Sequence, residues 1–318
     1  MLDLTSGQRI VVTGGAGFLG RAVCAALGRA GVTADQIIVP RRSEFDLIEE
    51  NAVERMYRQL KPTVVIHLAA EVGGIGANRE NPGRFFYANM AMGLHLIEHA
   101  RRNELAKFVQ IGTVCSYPKF ASVPFREDDL WSGYPEETNA PYGVAKKALL
   151  VMLQAYRTQY GLNGIFLQPV NLYGPGDHFD PASSHVIPAM IRKFVEARAG
   201  GAADVVLWGT GSASREFLFV DDCADGIVAA LRRYDGPEPI NLGTGEEITI
   251  QSLADRIRQI VGYEGGIAWD ASKPDGQPRR RLDTSRAAQW LDWRSSTSLD
   301  DGLRRTIEWY LASIEAPA

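Results

Sequence analysis

Three glycines at three-residue intervals, Gly14, Gly17 and Gly20, constrain this chain more than any other feature. They lie in the run Thr13-Gly14-Gly15-Ala16-Gly17-Phe18-Leu19-Gly20, straight after the β-branched segment 9–13 and at the start of a helical stretch. In a strand–turn–helix, glycines so placed permit a tight turn, let the backbone approach a pyrophosphate and pack the helix closely on the strand. The free N–H groups of the helix start then bind the phosphates. The motif predicts a dinucleotide site, with a ligand-free glycine turn as the competing reading.

The first half of the chain continues this alternation. Strands are expected at 36–39, 63–68, 107–111 and 164–168, and helices at 18–29, 50–60, 82–103 and 142–160. Strands that are apolar throughout, separated by helices, indicate a parallel sheet covered on both faces. The predicted class is α/β, a doubly wound parallel (Rossmann-type) sheet. After Asn171 the pattern loosens into a Gly-, Pro-, Asp- and Ser-rich segment reaching Ser184, and residues 239–242 read as a strand returning to the sheet. The expected division is a dinucleotide-binding domain at 1–172 plus about 217–243, and a smaller interleaved substrate domain at about 173–216 plus 244–318.

Composition excludes several classes. Lys+Arg is 34 against 38 Asp+Glu, a net charge of −4, so the basic excess of a nucleic-acid binder is missing. No run approaches the roughly 18 apolar residues needed to cross a bilayer. The start of the chain lacks the basic and apolar regions of a signal peptide. Cys24, Cys115 and Cys223 are too few and too widely spaced for a disulfide framework or a zinc site. The expectation is a cytoplasmic protein with no nucleic-acid, membrane or metal partner.

The end of the second strand selects the dinucleotide. An acid there would bind a ribose 2′-OH. The sequence instead reads Val39-Pro40-Arg41-Arg42-Ser43, and paired arginines suit a 2′-phosphate. NADP is favoured over NAD, and a solvated basic loop is the bland alternative. Asp46 and Leu47 are placed on the adenine side.

Tyr142 and Lys146 share one face of a predicted helix. A nearby ammonium favours the phenolate, so the phenol is expected to titrate nearer the working pH. It then exchanges a proton with a carbonyl or alcohol while a nicotinamide exchanges hydride. Thr113, ending the fourth strand, supplies a hydroxyl beside it. A packed tyrosine and a capping threonine are the competing readings.

With these motifs in view, the chain resembles the extended short-chain dehydrogenase/reductase family along essentially its whole length. The resemblance sharpens toward its nucleotide-sugar epimerase-reductases through His67-Leu68-Ala69-Ala70-Glu71-Val72-Gly73-Gly74-Ile75, Cys115-Ser116-Tyr117-Pro118-Lys119 and Asn171-Leu172-Tyr173-Gly174-Pro175. Ser184-His185-Val186-Ile187-Pro188-Ala189, Trp208-Gly209-Thr210-Gly211, Arg215-Glu216-Phe217 and Asp275-Gly276-Gln277-Pro278-Arg279 extend it.

The resemblance implies epimerisation at C3 and C5 of GDP-4-keto-6-deoxy-D-mannose, followed by reduction at C4 with NADPH. It assigns Cys115 as the base and His185 as the acid of the epimerisation, and Tyr142 as the proton donor to the C4 oxygen. It adds Leu68, Ala69, Ala70, Ile111, Gly112, Lys146, Pro169, Asn171, Leu172 and His185 to the cofactor contacts. Thr113 stands where the family commonly has serine; the hydroxyl is kept. Trp208 is expected to stack on guanine, Arg215 and Lys193 to neutralise the diphosphate, and Asp275 to bind guanine or its ribose. The run Arg279-Arg280-Arg281 either approaches the diphosphate or lies in solvent. Helices like those at 82–103 and 142–160 imply a homodimer. The alternatives are a GDP-mannose 3,5-epimerase type without net reduction, and, remotely, a non-enzymatic dinucleotide sensor.

Overall fold

Every side chain from Ile10 to Thr13 is buried, which a strand covered on both faces requires. The computed structural model describes residues 2–4, 7–181, 184–273 and 275–315; Ala182 and Ser183 of the loosened segment lie outside them.

In the first half the elements are β1 (Ile10–Thr13), α1 (Phe18–Arg29), β2 (Ile37–Ile38), α2 (Glu50–Leu60), β3 (Val64–His67), α3 (Ile75–Glu80), α4 (Pro82–Arg102), β4 (Lys107–Ile111), α5 (Ala140–Tyr160) and β5 (Gly164–Pro169). The second half adds β6 (Asn171–Tyr173), α6 (Val186–Gly200), β7 (Asp204–Trp208), β8 (Ser214–Arg215), β9 (Phe217–Phe219), α7 (Val220–Arg233), β10 (Ile240–Leu242), β11 (Ile248–Thr249), α8 (Ile250–Val261), β12 (Gly266–Asp270), α9 (Ser285–Leu291) and α10 (Leu299–Glu315).

The main sheet has the order β10-β5-β4-β3-β1-β2, with every pair parallel. The chain steps outward from β1 to β2 and then back across to β3. That reversal opens a crevice at the carboxyl ends of β1 and β3, where open α/β sheets bind their ligands. Helices α1 and α7 pack together, as do α4 and α5. Each presents an apolar stripe; on α2 it is Ala52, Val53, Met56 and Tyr57.

The sequence reading and the structure differ at local ends. Helix α5 starts at Ala140, with Pro141 in its first turn, where a proline's missing N–H costs nothing. Strand β2 is only two residues long, because a 3₁₀ turn at Ala34–Gln36 takes the residue before it.

Two hydrophobic cores form. One lies around the main sheet, and the other joins Ile187, Ile191 and Phe194 of α6 to Leu253 and Ile257 of α8 and Leu303 of α10. Leu282, Ala287, Leu291 and Trp293 pack into the first core. The segment 275–283 therefore crosses back to the sheet and closes over the loop between β4 and α5.

Candidate active site

The cofactor crevice is made mostly of backbone. Gly14 has φ +72, and a Cβ there would stand 2.8 Å from the Ala69 nitrogen. Only glycine allows the β1 and β3 ends to approach so closely. Gly17 caps α1 with no side chain on its free N–H groups, which leaves them open to an anion. A cavity of about 350 Å³ follows, lined by Gly14, Ala16, Gly17, Phe18, Leu19 and Gly20, then Arg41, Arg42, Asp46 and Leu47, and finally Leu68, Ala69 and Ala70. Gly15 is buried behind this wall, against Val39. Phe45, Ile48, Glu71 and Met92 also line the cavity. Sequence reasoning did not select them: nothing in the local pattern of Phe45, Ile48 or Met92 separates a cavity wall from core, and Glu71 was read only as part of a longer motif.

The basic pair divides in two. Arg42 lies 3.7 Å from an Asp46 oxygen and 3.4 Å from a Glu71 oxygen. Arg41 makes no ion pair among the described residues, and its carbonyl accepts from Glu44 and Phe45 N–H. Arg41 is thus the freer cation at the 2′ end of the crevice.

Ile111, Gly112 and Thr113 end β4. Pro169, Asn171 and Leu172 lie where β5 passes into β6, so all six sit at the carboxyl edge of the sheet. Gly112 N–H donates to Leu167 carbonyl at 2.8 Å, and Asn171 Nδ2 donates to Glu216 carbonyl at 2.9 Å.

Beyond Thr113 the chain makes a 3₁₀ turn at Val114–Ser116, with Thr113 Oγ1 accepting from Cys115 N–H at 3.2 Å. Helix α5 packs directly on this turn: a Cβ on Gly143 would meet the Cys115 carbonyl at 2.4 Å. Ser116 Oγ donates to Gly143 carbonyl. That contact sets Tyr142 beside Thr113 and Cys115. Lys146 Nζ is 6.0 Å from the centre of the Tyr142 ring, and Lys146 is only 2% exposed.

The expectation that Tyr142 titrates toward neutrality is corrected. Burial pushes the phenol above its ordinary range, Cys115 adds to the rise, and the Thr113 hydroxyl opposes it. The ammonium that was to lower it is itself desolvated, and burial brings Lys146 down to about 8. Tyr142 is therefore held as a protonated phenol, the form that donates a proton.

His185 is the N-cap residue of α6, and its side chain makes no cap hydrogen bond. The residue is exposed, yet the protein packed around its ring lowers its pKa, with His178 adding repulsion. Among the described residues no hydrogen bond joins it to the Cys115 group.

The substrate-side residues are more engaged than their residue types suggested. Trp208 is 62% exposed, with Lys273 Nζ 5.5 Å from its ring. Lys193 Nζ donates to Val206 carbonyl at 2.8 Å. Asp275 accepts Thr210 N–H at 2.7 Å and Thr210 Oγ1 at 2.8 Å, which pins the turn after β7. Arg215 donates to Ser214 and Asp275 carbonyls, and burial first, then Arg280, lowers it to about 10.

Arg280 is the functional side chain that sequence reasoning left open. It is buried, and its Nη1 lies 3.7 Å from Cys115 Sγ. A separation of 165 residues gave no local signal for this contact. Neither Arg215 nor Arg280 pairs with a carboxylate among the described residues. Two neighbouring guanidiniums, Arg280 buried and Arg215 half-buried, without such partners suit an anion.

Known proteins place this arrangement. GDP-L-fucose synthase 1 of Arabidopsis thaliana is 44% identical over 306 residues, spanning 96% of this chain and 94% of the relative. GDP-L-fucose synthase of Escherichia coli (strain K12) is 40% identical over 315 residues, spanning 96% and 97%. A solved GDP-L-fucose synthetase from Naegleria fowleri bound to NADP is similar at a TM-score of 0.89 and 26% identity, covering 99% of this chain and 97% of that chain. The description "NAD dependent epimerase/dehydratase family" matches residues 10–243, and the chain belongs to that family.

Proposed function

We propose that this chain catalyses NADP-dependent 3,5-epimerisation and 4-reduction of GDP-4-keto-6-deoxy-D-mannose to GDP-L-fucose. The observation that carries the reading is the seating of Cys115 and Tyr142 against one another where α5 meets the turn after β4. A thiol able to take a proton and a phenol held protonated then share one substrate position, as an epimerase-reductase requires.

The crevice fits NADP: the Gly14 turn would admit its pyrophosphate, the bare start of α1 would bind it, and Arg41 and Arg42, which line the cavity, would hold the 2′-phosphate. Bound NADPH supplies the hydride for C4. The 4-ketone acidifies the C–H bonds at C3 and C5. Cys115 takes a proton there, and His185 returns one to the opposite face. Tyr142 then protonates the C4 oxygen, with Thr113 fixing the phenol and Lys146 holding the nicotinamide ribose. Arg215 and Lys193 neutralise the diphosphate. Trp208 offers an exposed ring to guanine, and Asp275 orders the turn beside it.

Purified protein, GDP-4-keto-6-deoxymannose and NADPH in deuterated water test the reading. It expects one NADPH consumed per product and deuterium at C3 and C5. Deuterium without NADPH consumption would replace it with an epimerase lacking net reduction. Absence of both would end it.

The same reading extends to the assembly and setting. The two cores support a nucleotide-binding unit at 1–172 plus about 217–243 and a sugar-nucleotide unit at about 173–216 plus 244–318, with 282–293 packing on the first and Phe217 and Phe219 on the second. Exposed Phe86, Tyr87 and Leu94 on α4, with Val151 and Tyr160 on α5, support a homodimer through these helices. No helix among the described residues is long and apolar enough to cross a membrane. A catalytic thiol suits a reducing, cytoplasmic setting.

A further inference from the structure

Cys115 has one buried cationic partner that the proposed chemistry does not yet use. Arg280 is 8% exposed and directs Nη1 at Cys115 Sγ from 3.7 Å. Its Nε and Nη2 both donate to Gln277 Oε1, at 3.3 and 3.2 Å. A carboxylate in that place would make a closed ion pair. Glutamine orients the fork but leaves its positive charge unspent. Gln277 is fixed in turn, since its Nε2 donates to Lys119 carbonyl at 2.9 Å in the loop that carries Cys115.

The backbone around Arg280 is pinned as well. Its carbonyl accepts Glu216 N–H at 3.1 Å, Arg281 carbonyl accepts Phe125 N–H at 2.7 Å, and Leu282 N–H donates to Glu216 Oε2 at 2.6 Å. The guanidinium therefore has little freedom to leave the sulfur.

Resting on the reading of Cys115 as the epimerisation base, we infer that Arg280 is its positioning residue. It donates a hydrogen bond to the sulfur and aims it, while Gln277 orients Arg280 without neutralising it. The groups near the sulfur are Arg280 from the 275–283 segment, Arg215 from β8 and Tyr142 from α5, while Thr113 Oγ1 holds the Cys115 backbone N–H. Arg215 has donors committed to two carbonyls, and Asp275 and Glu136 temper its charge. Among the described residues, Arg280 alone supplies a hydrogen bond to the sulfur.

The step balances without a redox partner. The C3–H or C5–H bond breaks, its proton forms the Cys115 S–H bond, and its electron pair moves into an enolate on O4. A proton from His185 then re-forms the C–H bond on the opposite face. The guanidinium keeps its charge throughout, because arginine does not titrate near neutrality.

The test follows iodoacetamide labelling of Cys115 against pH, with Cys115→Ser marking the background from other thiols. Deuterium wash-in at C3 and C5 of GDP-4-keto-6-deoxymannose is measured alongside, with kcat and KM separated. In Arg280→Gln, labelling at pH 7 should fall about tenfold and its profile should move up by about one pH unit. The kcat for wash-in should fall in parallel. Arg280→Lys should recover most of the profile. Gln277→Glu should shift it in the same direction with Arg280 intact, which covers a failure of Arg280→Gln to fold. A wild-type labelling profile in the folded Arg280→Gln or Gln277→Glu protein overturns the inference, including when the only loss is a higher KM. Undiminished wash-in by Cys115→Ser would instead overturn the assignment of the base, while the labelling profiles still report on the pairing.

Discussion

At the end of β1 the proposed cofactor site is built from main chain: a left-handed Gly14 whose added Cβ would meet the Ala69 nitrogen at 2.8 Å, and a helix start bare of side-chain caps. At β8 and the 275–283 segment the proposed substrate site is built from side chains: half-buried Arg215 and buried Arg280, neither with a carboxylate ion-pair partner among the described residues, beside a thiol. The first binds an anion with fixed dipoles that need no rearrangement. The second stores like charge in a poorly solvated place, so its geometry and proton affinities depend on everything packed around it. Backbone sites of this kind tolerate side-chain exchange around them; charge clusters do not.

The sharpest way to break the comparison is Tyr142→Phe, which removes the proton donor where the two halves meet. Turnover followed by NADPH absorbance should fall by about a thousandfold. NADPH affinity and deuterium wash-in at C3 and C5 should stay near wild type. Loss of wash-in as well would mean that Tyr142 serves the epimerisation too.

Arg41→Ala probes the end of the crevice where a charged side chain, free of ion pairs among the described residues, lines it. Loss of a charged contact to a 2′-phosphate should raise the KM for NADPH by about tenfold. The KM for NADH should change little. Equal effects on both cofactors would remove Arg41 from the 2′ site.

Asp177→Asn probes stored charge in the segment after β6. Burial raises this carboxyl to about 7; Oδ1 accepts His178 N–H, and Oδ2 has no hydrogen-bond partner among the described residues. The folded pKa lies above the unfolded value of about 3.9, so the folded state binds this proton more tightly. That contribution is fully present below about pH 4 and is lost as pH rises through about 7. The asparagine variant should therefore melt a few degrees above wild type at pH 8 and lose that advantage near pH 4. A difference independent of pH would show that the carboxyl does not titrate in this window.

Much of the cofactor half was legible because its determinants are local. The helices at 18–29 and 50–60 and the strand at 107–111 have the expected bounds, since apolar period and glycine placement act within a few residues. The turn at Val114–Ser116 that carries Cys115 was not legible, because a 3₁₀ turn has no apolar period of its own. The state of Tyr142 was misjudged for a related reason. The i, i+4 spacing to Lys146 reports a shared helix face, whereas burial of both groups sets their proton affinities.

By itself the sequence determined the parallel sheet, the glycine turn at the β1 edge, the basic end of the second strand and the residue types of a proton-transfer site. Those follow from backbone conformational limits and side-chain periodicity, which neighbouring residues impose on one another. Only the tertiary structure decided that Arg280 meets Cys115 across 165 positions, that Asp275 is committed to Thr210, and that Tyr142 stays protonated. Charge pairing and desolvation are properties of what packing brings together, and distance along the chain carries no record of them.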